Sequence, residues 1–207
     1  MAVWRAGAIS ARPRKQIVTM NTDQNLTFNV AQLLKESVGA TRSATVVADL
    51  YRLVPDLEES RVSDDAPPPV LTGIVRLMRT GEGVLVQGHL AGELSMPCSR
   101  CLEPVTVPVD IDLVEVFSPT LDILTGQAVQ PEDDDTALWI DEHHILDLRE
   151  VLRQDLLVAL PLHPLCREDC RGLCPTCGQN LNEGTCNCEP EPDPRWAALA
   201  ALLKDNA

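Results

Sequence analysis

The chain has 207 residues, enough for one good-sized domain and a small appendage, and 44% of them are hydrophobic. No run approaches the roughly 18 apolar residues of a transmembrane helix, so the sequence predicts no membrane span. With 17 basic and 31 acidic side chains, the net charge is −14. Such a chain repels nucleic acid phosphates and favours a basic protein as partner, although acidity that only maintains solubility is an equal alternative.

The N-terminal segment differs from the rest in charge. Residues 1–19 contain four basic side chains and no acidic one, without the apolar stretch of a secretory signal. We interpret them as a flexible tail or an over-long start, with Met20 beginning the folded part. Beyond them we predict a body at residues 20–160, followed at residues 161–207 by a cysteine-rich segment and a terminal helix.

Two short elements are predicted after this tail. Asn29 is a good N-cap, so a helix should begin there and end near Gly39. Thr45–Leu53 is rich in Val and Leu and is expected to be a strand. Arg61–Pro69 carries acidic residues and three consecutive prolines, which is typical of a loop.

The next segment predicts an antiparallel sheet. Val70–Thr80 and Val84–Met96 form a hairpin around Gly81-Glu82-Gly83. A third strand shows strict alternation, with apolar residues at every second position: Val105, Val107, Val109, Ile111 and Leu113. Pro108 cannot donate a ladder hydrogen bond, so it should lie at an edge or a bulge.

Loop and helix patterns alternate in the C-terminal half. Residues 118–136 are acidic and contain prolines, which predicts a mobile loop. Asp147 begins a capping box, and the helix that follows should end at Pro161. Its predicted apolar face consists of Leu148, Val151, Leu152, Leu156, Ala159 and Leu160. A last helix after Asp193-Pro194 carries on one side Trp196, Leu199, Ala200 and Leu203. The predicted fold class is α+β: an antiparallel, barrel-like sheet with a few helices and a C-terminal zinc-knuckle segment.

Eight cysteines are the strongest chemical signal in the chain. They occur in four close pairs: Cys98 with Cys101, Cys166 with Cys170, Cys174 with Cys177, and Cys186 with Cys188. Two thiolates separated by a tight turn converge on one point, and the amides after the turn donate to the sulfurs, as tetrahedral zinc requires. The sequence therefore predicts Zn²⁺ as a cofactor.

Other uses of the cysteines are weaker. A disulfide framework suits secreted chains, and no signal peptide is visible. The pair in Cys174-Pro175-Thr176-Cys177 is spelled like a redox site, but no βαβ unit surrounds it. Zinc explains all four pairs by one mechanism.

The pairs can be assigned to two sites. Cluster B, as we name it, contains Cys174, Cys177, Cys186 and Cys188; it is the natural first zinc site, closed by a small loop at residues 178–185. Cluster A contains Cys98, Cys101, Cys166 and Cys170. It would be a second site that clips the hairpin onto the C-terminal segment. Other pairings stay open, because Cys186 and Cys188 are so close in sequence that one of them could bind no metal.

No other constellation in the sequence predicts catalysis. We interpret His143-His144 as a polar turn and His89 as a surface residue, while His163 could replace a cysteine ligand. The acidic run Glu132–Asp135 fits a solvated loop better than a divalent-cation site. Neither a phosphate-binding glycine loop nor a nucleophile elbow is present, so we predict that the protein is not an enzyme.

The C-terminal half resembles a known family. Leu160–Asn182 is similar to the C-terminal motif of the YceD family, bacterial and plastid proteins associated with accumulation of large-subunit ribosomal RNA. Cys98-Ser99-Arg100-Cys101 resembles the internal CxRC of that family. Asn29–Leu34 resembles its opening helix, and Asp193–Leu199 resembles its DPRWAxL ending. The resemblance extends roughly over residues 26–203.

This resemblance implies a cytoplasmic role in ribosome assembly, on which accumulation of 23S rRNA depends. Together with the charge, it points to a basic ribosomal protein or a large-subunit assembly intermediate as partner, without a small-molecule substrate. Two alternatives stay open: a thiol-disulfide protein using Cys174 and Cys177, and a zinc-knuckle RNA-binding module using the basic tail with Arg167 and Arg171. Few aromatic side chains are available to stack on bases, which disfavours the second alternative.

Overall fold

A computed structural model describes most of the chain after the predicted tail. Its described residues are 26–59, 61, 67–130, 135–188 and 195. The tail at residues 1–19 and the apolar side of the predicted last helix lie outside these ranges. Within them, no helix combines the length and apolarity needed to cross a membrane.

A mostly antiparallel sheet is the main element of the fold. The described strands are β1 (Thr27–Asn29), β2 (Thr41–Asp49), β3 (Val70–Arg79), β4 (Val84–Pro97), β5 (Pro104–Pro119), β6 (Trp139–Ile140) and β7 (Ile145–Asp147). Five of these form one sheet in the order β2-β3-β4-β5-β6, and β6 runs parallel to β5. The described α-helices are α1 (Ala31–Lys35), α2 (Leu50–Leu53), α3 (Asp56–Glu59) and α4 (Arg149–Ala159), and a 3₁₀ turn lies at Thr136–Leu138. The α+β class is confirmed; a barrel-like closure stays a prediction.

The hairpin and the third strand form as predicted. Thr80 N donates to Gly83 O at 3.0 Å and closes the turn between β3 and β4. β5 buries alternate side chains, namely Val107, Val109, Ile111, Leu113 and Phe117. Because β6 pairs only with Ser118 and Pro119, no described strand lies on that side of β5 at Pro108. This agrees with the predicted edge position.

Two glycines of β4 allow the neighbouring strand to approach closely. A Cβ at Gly88 would lie 2.8 Å from the carbonyl oxygen of Ile74, and a Cβ at Gly92 would lie 2.6 Å from that of Val70. Backbone atoms cannot move aside as a flexible side chain can, so only glycine fits at these positions of β4.

The first described elements differ from the prediction. β1 pairs antiparallel with β7, with Phe28 opposite Leu146. The N-cap of α1 is Val30 rather than the predicted Asn29, because Asn29 belongs to β1. The side chain of Asn29 still accepts a hydrogen bond from Ala31 N at 3.1 Å. The predicted cap is therefore wrong by one residue.

The predicted strand Thr45–Leu53 is wrong at both ends. β2 begins and ends earlier, and at Asp49 the chain turns into α2. The Asp49 carboxylate accepts hydrogen bonds from the backbone N of Tyr51 and Arg52 at 2.9 and 3.4 Å. This N-cap overrides the strand preference of the apolar residues that follow.

Part of the predicted mobile loop at residues 118–136 is an ordered turn. The Asp122 carboxylate accepts from Leu124 N and Thr125 N, at 2.9 and 2.6 Å, and from the Thr125 hydroxyl at 2.9 Å. Val129 N donates to Thr120 O at 2.9 Å, which closes the segment. Residues 131–134 lie outside the described part.

Helix α4 largely has the predicted apolar face. Four of the six predicted residues are buried and two are half-buried: Leu148, Val151, Leu152 and Leu156, then Ala159 and Leu160. Asp147, the last residue of β7, is placed as Asn29 is at α1: its Oδ1 accepts from the N of the first helical residue, Arg149, at 2.9 Å, so the predicted cap is again one residue early. The capping box is not reciprocal, because Glu150 binds Arg153 instead, at 2.6 and 2.9 Å.

The described residues divide into two compact units. Unit 1 consists of residues 26–48, Thr72–His89 and the described part of Asp112–Arg149. Unit 2 consists of the described parts of Asp49–Leu71, Leu90–Ile111 and the chain from Glu150 onward. All eight cysteines belong to unit 2. The domain boundaries predicted at residues 19 and 160 stay predictions.

Candidate metal centre

The eight cysteines meet in two groups of four. Cluster A comprises Cys98, Cys101, Cys166 and Cys170, and cluster B comprises Cys174, Cys177, Cys186 and Cys188. Within each cluster the sulfur atoms all lie within 4.8 Å of one another. These are the same two sets as the predicted zinc sites, and every cysteine belongs to one of them. Either cluster could hold a metal ion.

The sulfur separations in cluster A fit a tetrahedral metal ion. The Sγ atoms of Cys98 and Cys170 are 3.9 Å apart, and those of Cys101 and Cys166 are 3.6 Å apart. A disulfide would bring two sulfurs to about 2.05 Å. Four sulfurs placed about 2.3 Å from one zinc ion would lie roughly 3.8 Å from one another. The donor set therefore fits one tetrahedral metal ion, such as Zn²⁺, better than two disulfides.

The turn between β4 and β5 presents two ligands of cluster A. Leu102 N donates to Cys98 O at 3.0 Å, and Cys98 N donates to Glu103 O at 2.8 Å. Leu102 has a φ of 63°, in the left-handed region that few residues with a side chain adopt. This conformation reverses the chain directly after Cys101, so that both sulfurs of the pair could bind the same ion.

Cluster B is built on the same turn. Gly178 N donates to Cys174 O at 2.9 Å, and Cys174 N donates to Gln179 O at 2.9 Å. Gly178 has a φ of 73°, which glycine adopts without strain. The two turns are therefore equivalent, and Leu102 occupies in cluster A the place that Gly178 occupies in cluster B.

Backbone amides stabilise the first thiolate of each turn. The N–H groups of Cys101 and Arg100 lower the pKa of Cys98 to about 6. The equivalent amides, that of Cys177 first, lower the pKa of Cys174 to about 6 as well. An N–H group favours the charged sulfur over the neutral thiol, so each turn holds one sulfur ready to bind a cation.

Crowding has the opposite effect on the last sulfurs. Burial, followed by the neighbouring Cys101, raises the pKa of Cys166 to about 12. The adjacent sulfur of Cys177, followed by burial, raises the pKa of Cys188 to about 12. Four thiolates in so small a volume repel one another, and a divalent ion that displaces their protons would relieve this repulsion. The residues present therefore fit a metal cation.

Cluster A also involves two residues that the cysteine spacing did not reveal. Arg100 Nη1 donates to Cys170 O at 2.8 Å, which joins the first turn to the C-terminal segment. Asn182 Nδ2 lies 3.3 Å from the Sγ of Cys170. Arg100 could have been suspected from its place between two ligands, whereas no pattern in the sequence singles out Asn182.

Histidines take no part in these clusters. Among the described residues, the groups able to hold a metal consist of cysteine alone. His89 is exposed, with its Nδ1 2.8 Å from Asp112 Oδ1. His143 and His144 lie in the turn before β7, as predicted, and His163 belongs to neither cluster.

Comparison with protein families shows which family the chain belongs to. Residues 86–203, more than half of the chain, match the model of the family described as Large ribosomal RNA subunit accumulation protein YceD. The chain belongs to the YceD family. The resemblance found in the sequence is thus confirmed over these residues, which include every cysteine of both clusters. The N-terminal part of that resemblance, before residue 86, lies outside the YceD match.

Known relatives of this YceD chain occur in bacteria and plants. An uncharacterised protein of Mycobacterium tuberculosis is 36% identical over 129 residues, which are 62% of this chain and 60% of the relative. YlbN of Bacillus subtilis is 32% identical over 123 residues, 56% of this chain and 64% of YlbN. A Zea mays protein named Large ribosomal RNA subunit accumulation protein YCED homolog 1, chloroplastic, is 26% identical over 159 residues, 66% and 54% of the two chains. The chain thus spans less than two thirds of the length of these relatives. No solved structure matches it.

Proposed function

We propose that the chain is a non-catalytic ribosome biogenesis factor that supports accumulation of the large-subunit (23S) rRNA in the cytoplasm. The observation that carries this proposal is the YceD family match over residues 86–203, which spans both cysteine clusters. The name of the maize relative supports the same function. In this proposal the cysteines have a structural role, and the surface that they stabilise binds a partner.

We further propose that each cluster binds one Zn²⁺. Four sulfur donors in tetrahedral reach of one point suit zinc or a single iron ion. Zinc does not change oxidation state, so it suits a site whose task is to hold a turn and a distant segment together. The sulfurs of Cys98 and Cys174, each facing backbone amides, would be the first to bind it. Binding would then tie the β4–β5 turn to the segment that begins at Cys166.

The proposed partner is a basic ribosomal protein, alone or within a large-subunit assembly intermediate. The net charge of −14 favours a basic surface and repels the phosphates of bare RNA. Each zinc bound by four thiolates adds about two further negative charges. Crosslinking in cells should therefore recover a basic protein. Recovery of RNA that resists protease treatment, without any basic protein, would contradict this part of the proposal.

The thiol-disulfide alternative has one observation in its favour, the lowered pKa of Cys174. That sulfur is buried, however, whereas Cys177 beside it is exposed. A thiol-disulfide protein needs its low-pKa sulfur within reach of the substrate. A Cys177→Ser variant separates the two functions. Under our proposal it loses metal, and under the alternative it stays folded and traps mixed disulfides on Cys174.

The ratio of 23S to 16S rRNA in cells depleted of the protein tests the proposed function. Depleted cells would receive wild type, Cys174→Ser/Cys177→Ser, Cys98→Ser/Cys101→Ser, or Asn187→Ala as a control. Asn187 lies between two ligands of cluster B and makes no side-chain hydrogen bond within the described part of the chain. We expect a selective loss of 23S rRNA that wild type and the control restore and the cysteine variants do not.

The two parts of the proposal can fail separately. An unchanged ratio after depletion would contradict a role in 23S accumulation, whatever the clusters bind. Full rescue by both cysteine variants would preserve that role and contradict the need for the clusters.

A further inference from the structure

Asn182 links the two cysteine clusters. It lies in the loop of cluster B, between Cys177 and Cys186, yet its Nδ2 is 3.3 Å from the Sγ of Cys170 in cluster A. An N–H group that donates to a thiolate shares part of the negative charge of the sulfur. One residue thus belongs to the loop of one cluster and to the immediate surroundings of the other.

Two donors fix the orientation of this side chain. Oδ1 of Asn182 accepts from the backbone N of Arg171 at 2.8 Å and from Nη2 of Arg167 at 2.8 Å. Both partners can only donate, so the amide oxygen must face them. The NH₂ group of Asn182 is then left to face Cys170, and the contact with sulfur follows from the hydrogen-bond network.

Backbone contacts hold the loop against the turn of cluster A. Leu181 N donates to Gly172 O at 2.9 Å, and Leu173 N donates to Arg100 O at 3.1 Å. A Cβ on Gly172 would lie 2.9 Å from the same Arg100 oxygen. The segment between the clusters is therefore confined between the turn of cluster A and the loop of cluster B, and displacement of that loop would remove the donor from Cys170.

Cluster A depends on such donors because three of its four cysteines are shielded from water, whereas Cys166 is exposed. Cys98, Cys101 and Cys170 are 0%, 4% and 3% exposed. A divalent ion bound by four thiolates keeps a net negative charge, which in a buried place must be offset by N–H groups.

We propose that Asn182 couples the two metal sites. Metal binding at cluster B closes the loop at residues 178–185, the closed loop presents the amide of Asn182 to Cys170, and cluster A then holds its own metal more tightly. This inference rests on the proposed binding of metal by both clusters. Because coupling between binding sites is reciprocal, metal in cluster A favours metal in cluster B by the same factor. Asn182 is a positioning residue and binds no metal itself.

An Asn182→Asp variant isolates the proposed donor. The carboxylate still accepts from Arg171 N and Arg167, but in place of the NH₂ group it turns a charged oxygen toward the sulfur of Cys170. Loss of such a supporting hydrogen bond weakens a metal site by about 10- to 100-fold. Gln87→Glu is the matched control, because it makes the same change from amide to carboxylate at an exposed position of β4 outside both clusters.

The measurement is the rate at which the cysteines of cluster A become alkylated when the full-length, metal-loaded protein meets a strong chelator, read peptide by peptide by mass spectrometry. Four chains form a cycle: wild type, Asn182→Asp, Cys186→Ser, which disables cluster B, and the combination. Relative to wild type, we expect about 10- to 100-fold faster labelling of cluster A in both single variants. We expect the combination to be no faster than Cys186→Ser alone, since an open loop no longer presents residue 182. Gln87→Glu should label at the wild-type rate.

Several results would overturn the coupling. These are an Asn182→Asp variant that labels like wild type, a Cys186→Ser variant that leaves cluster A unaffected, and single effects that multiply in the combination. The last would mean that Asn182 acts on Cys170 whatever the state of cluster B. Metal content at the start tests the premise: a wild-type chain that carries no metal would overturn the premise and this inference together, whereas a metal-loaded wild type with any of the results above would overturn the inference alone. An unchanged 23S rRNA ratio would contradict the proposed function alone.

Discussion

Leu102 and Gly178 occupy the same place in the two cysteine turns, directly after the second cysteine, with φ values of 63° and 73°. A residue with a Cβ is destabilised by roughly 1–2 kcal/mol in this left-handed region, whereas glycine is not. Leu102 is also 62% exposed, so little packing offsets the strain. Cluster A is therefore built on the more strained of two equivalent turns, and a metal bound there would have to offset that strain.

Exchanging the two residues tests this comparison. Leu102→Gly should leave the free energy of unfolding of the metal-loaded protein unchanged or raise it by up to ~1 kcal/mol. Gly178→Leu should lower the same free energy by about 1–2 kcal/mol, because it introduces the strain that Leu102 carries. Urea denaturation in the presence of excess zinc measures both values. A Leu102→Gly variant clearly less stable than wild type would mean that the Leu102 side chain makes contacts that outweigh its strain.

At the scale of elements, the sequence predicts best where one segment contains its whole pattern. The alternation along β5 and the apolar face of α4 are local, so periodicity is enough to find them. The pairing of β1 with β7 is not local, and each of these strands has only three residues. At Asp49 a capping side chain decides against the strand preference of the residues after it. Local propensity therefore fails where a single hydrogen bond or a distant partner decides.

The same distinction applies to the candidate site. Cysteine pairs separated by short turns are visible in the chain, and the two sets of four predicted from them are the two that meet in the fold. Asn182 acts through one hydrogen bond to a residue outside its own loop. Neither residue type nor spacing marks that contact, so only the fold reveals it.

The close approach of β3 and β4 gives a prediction about these elements. In a Gly92→Ala variant the new Cβ would lie 2.6 Å from the backbone oxygen of Val70, and the strands would have to separate. Forcing such an atom into a packed contact costs about 1–3 kcal/mol, so the melting temperature should fall. Gly81→Ala is the matched control, because a Cβ at Gly81 would have no atom within 4 Å. Its free energy of unfolding should stay within ~0.5 kcal/mol of wild type, so its melting temperature should change little. Equal melting of the two variants would contradict the close approach.

For the whole molecule, the distribution of the cysteines decides which unit would depend on a bound metal for its stability. All eight lie in unit 2, where buried Cys98, Cys101 and Cys170 pack with Val105, Leu165 and Leu173. Half of the residues in this small core are cysteines, so without a bound metal it would bury little apolar surface. Structural zinc contributes roughly 10–16 kcal/mol of binding free energy, which is comparable with the whole stability of a domain at about 5–15 kcal/mol. Unit 1 contains no cysteine in its described part, and we expect no such dependence there.

Removing the metal should therefore loosen unit 2 selectively. Amide hydrogen exchange with and without a chelator at neutral pH measures this, and we expect lost protection in Leu90–Ile111 and at residues 160–188. The paired strands β1 and β7 should keep their protection.

Acid should act like the chelator, because protons compete with the metal for the thiolates. The stabilisation by metal is present at neutral pH and is lost as the pH falls. Returning zinc at neutral pH should restore protection, which distinguishes metal loss from irreversible damage. Protection that falls equally in β1, β7 and the cysteine segments would contradict a metal dependence confined to unit 2, and unchanged protection throughout would contradict a structural role for metal.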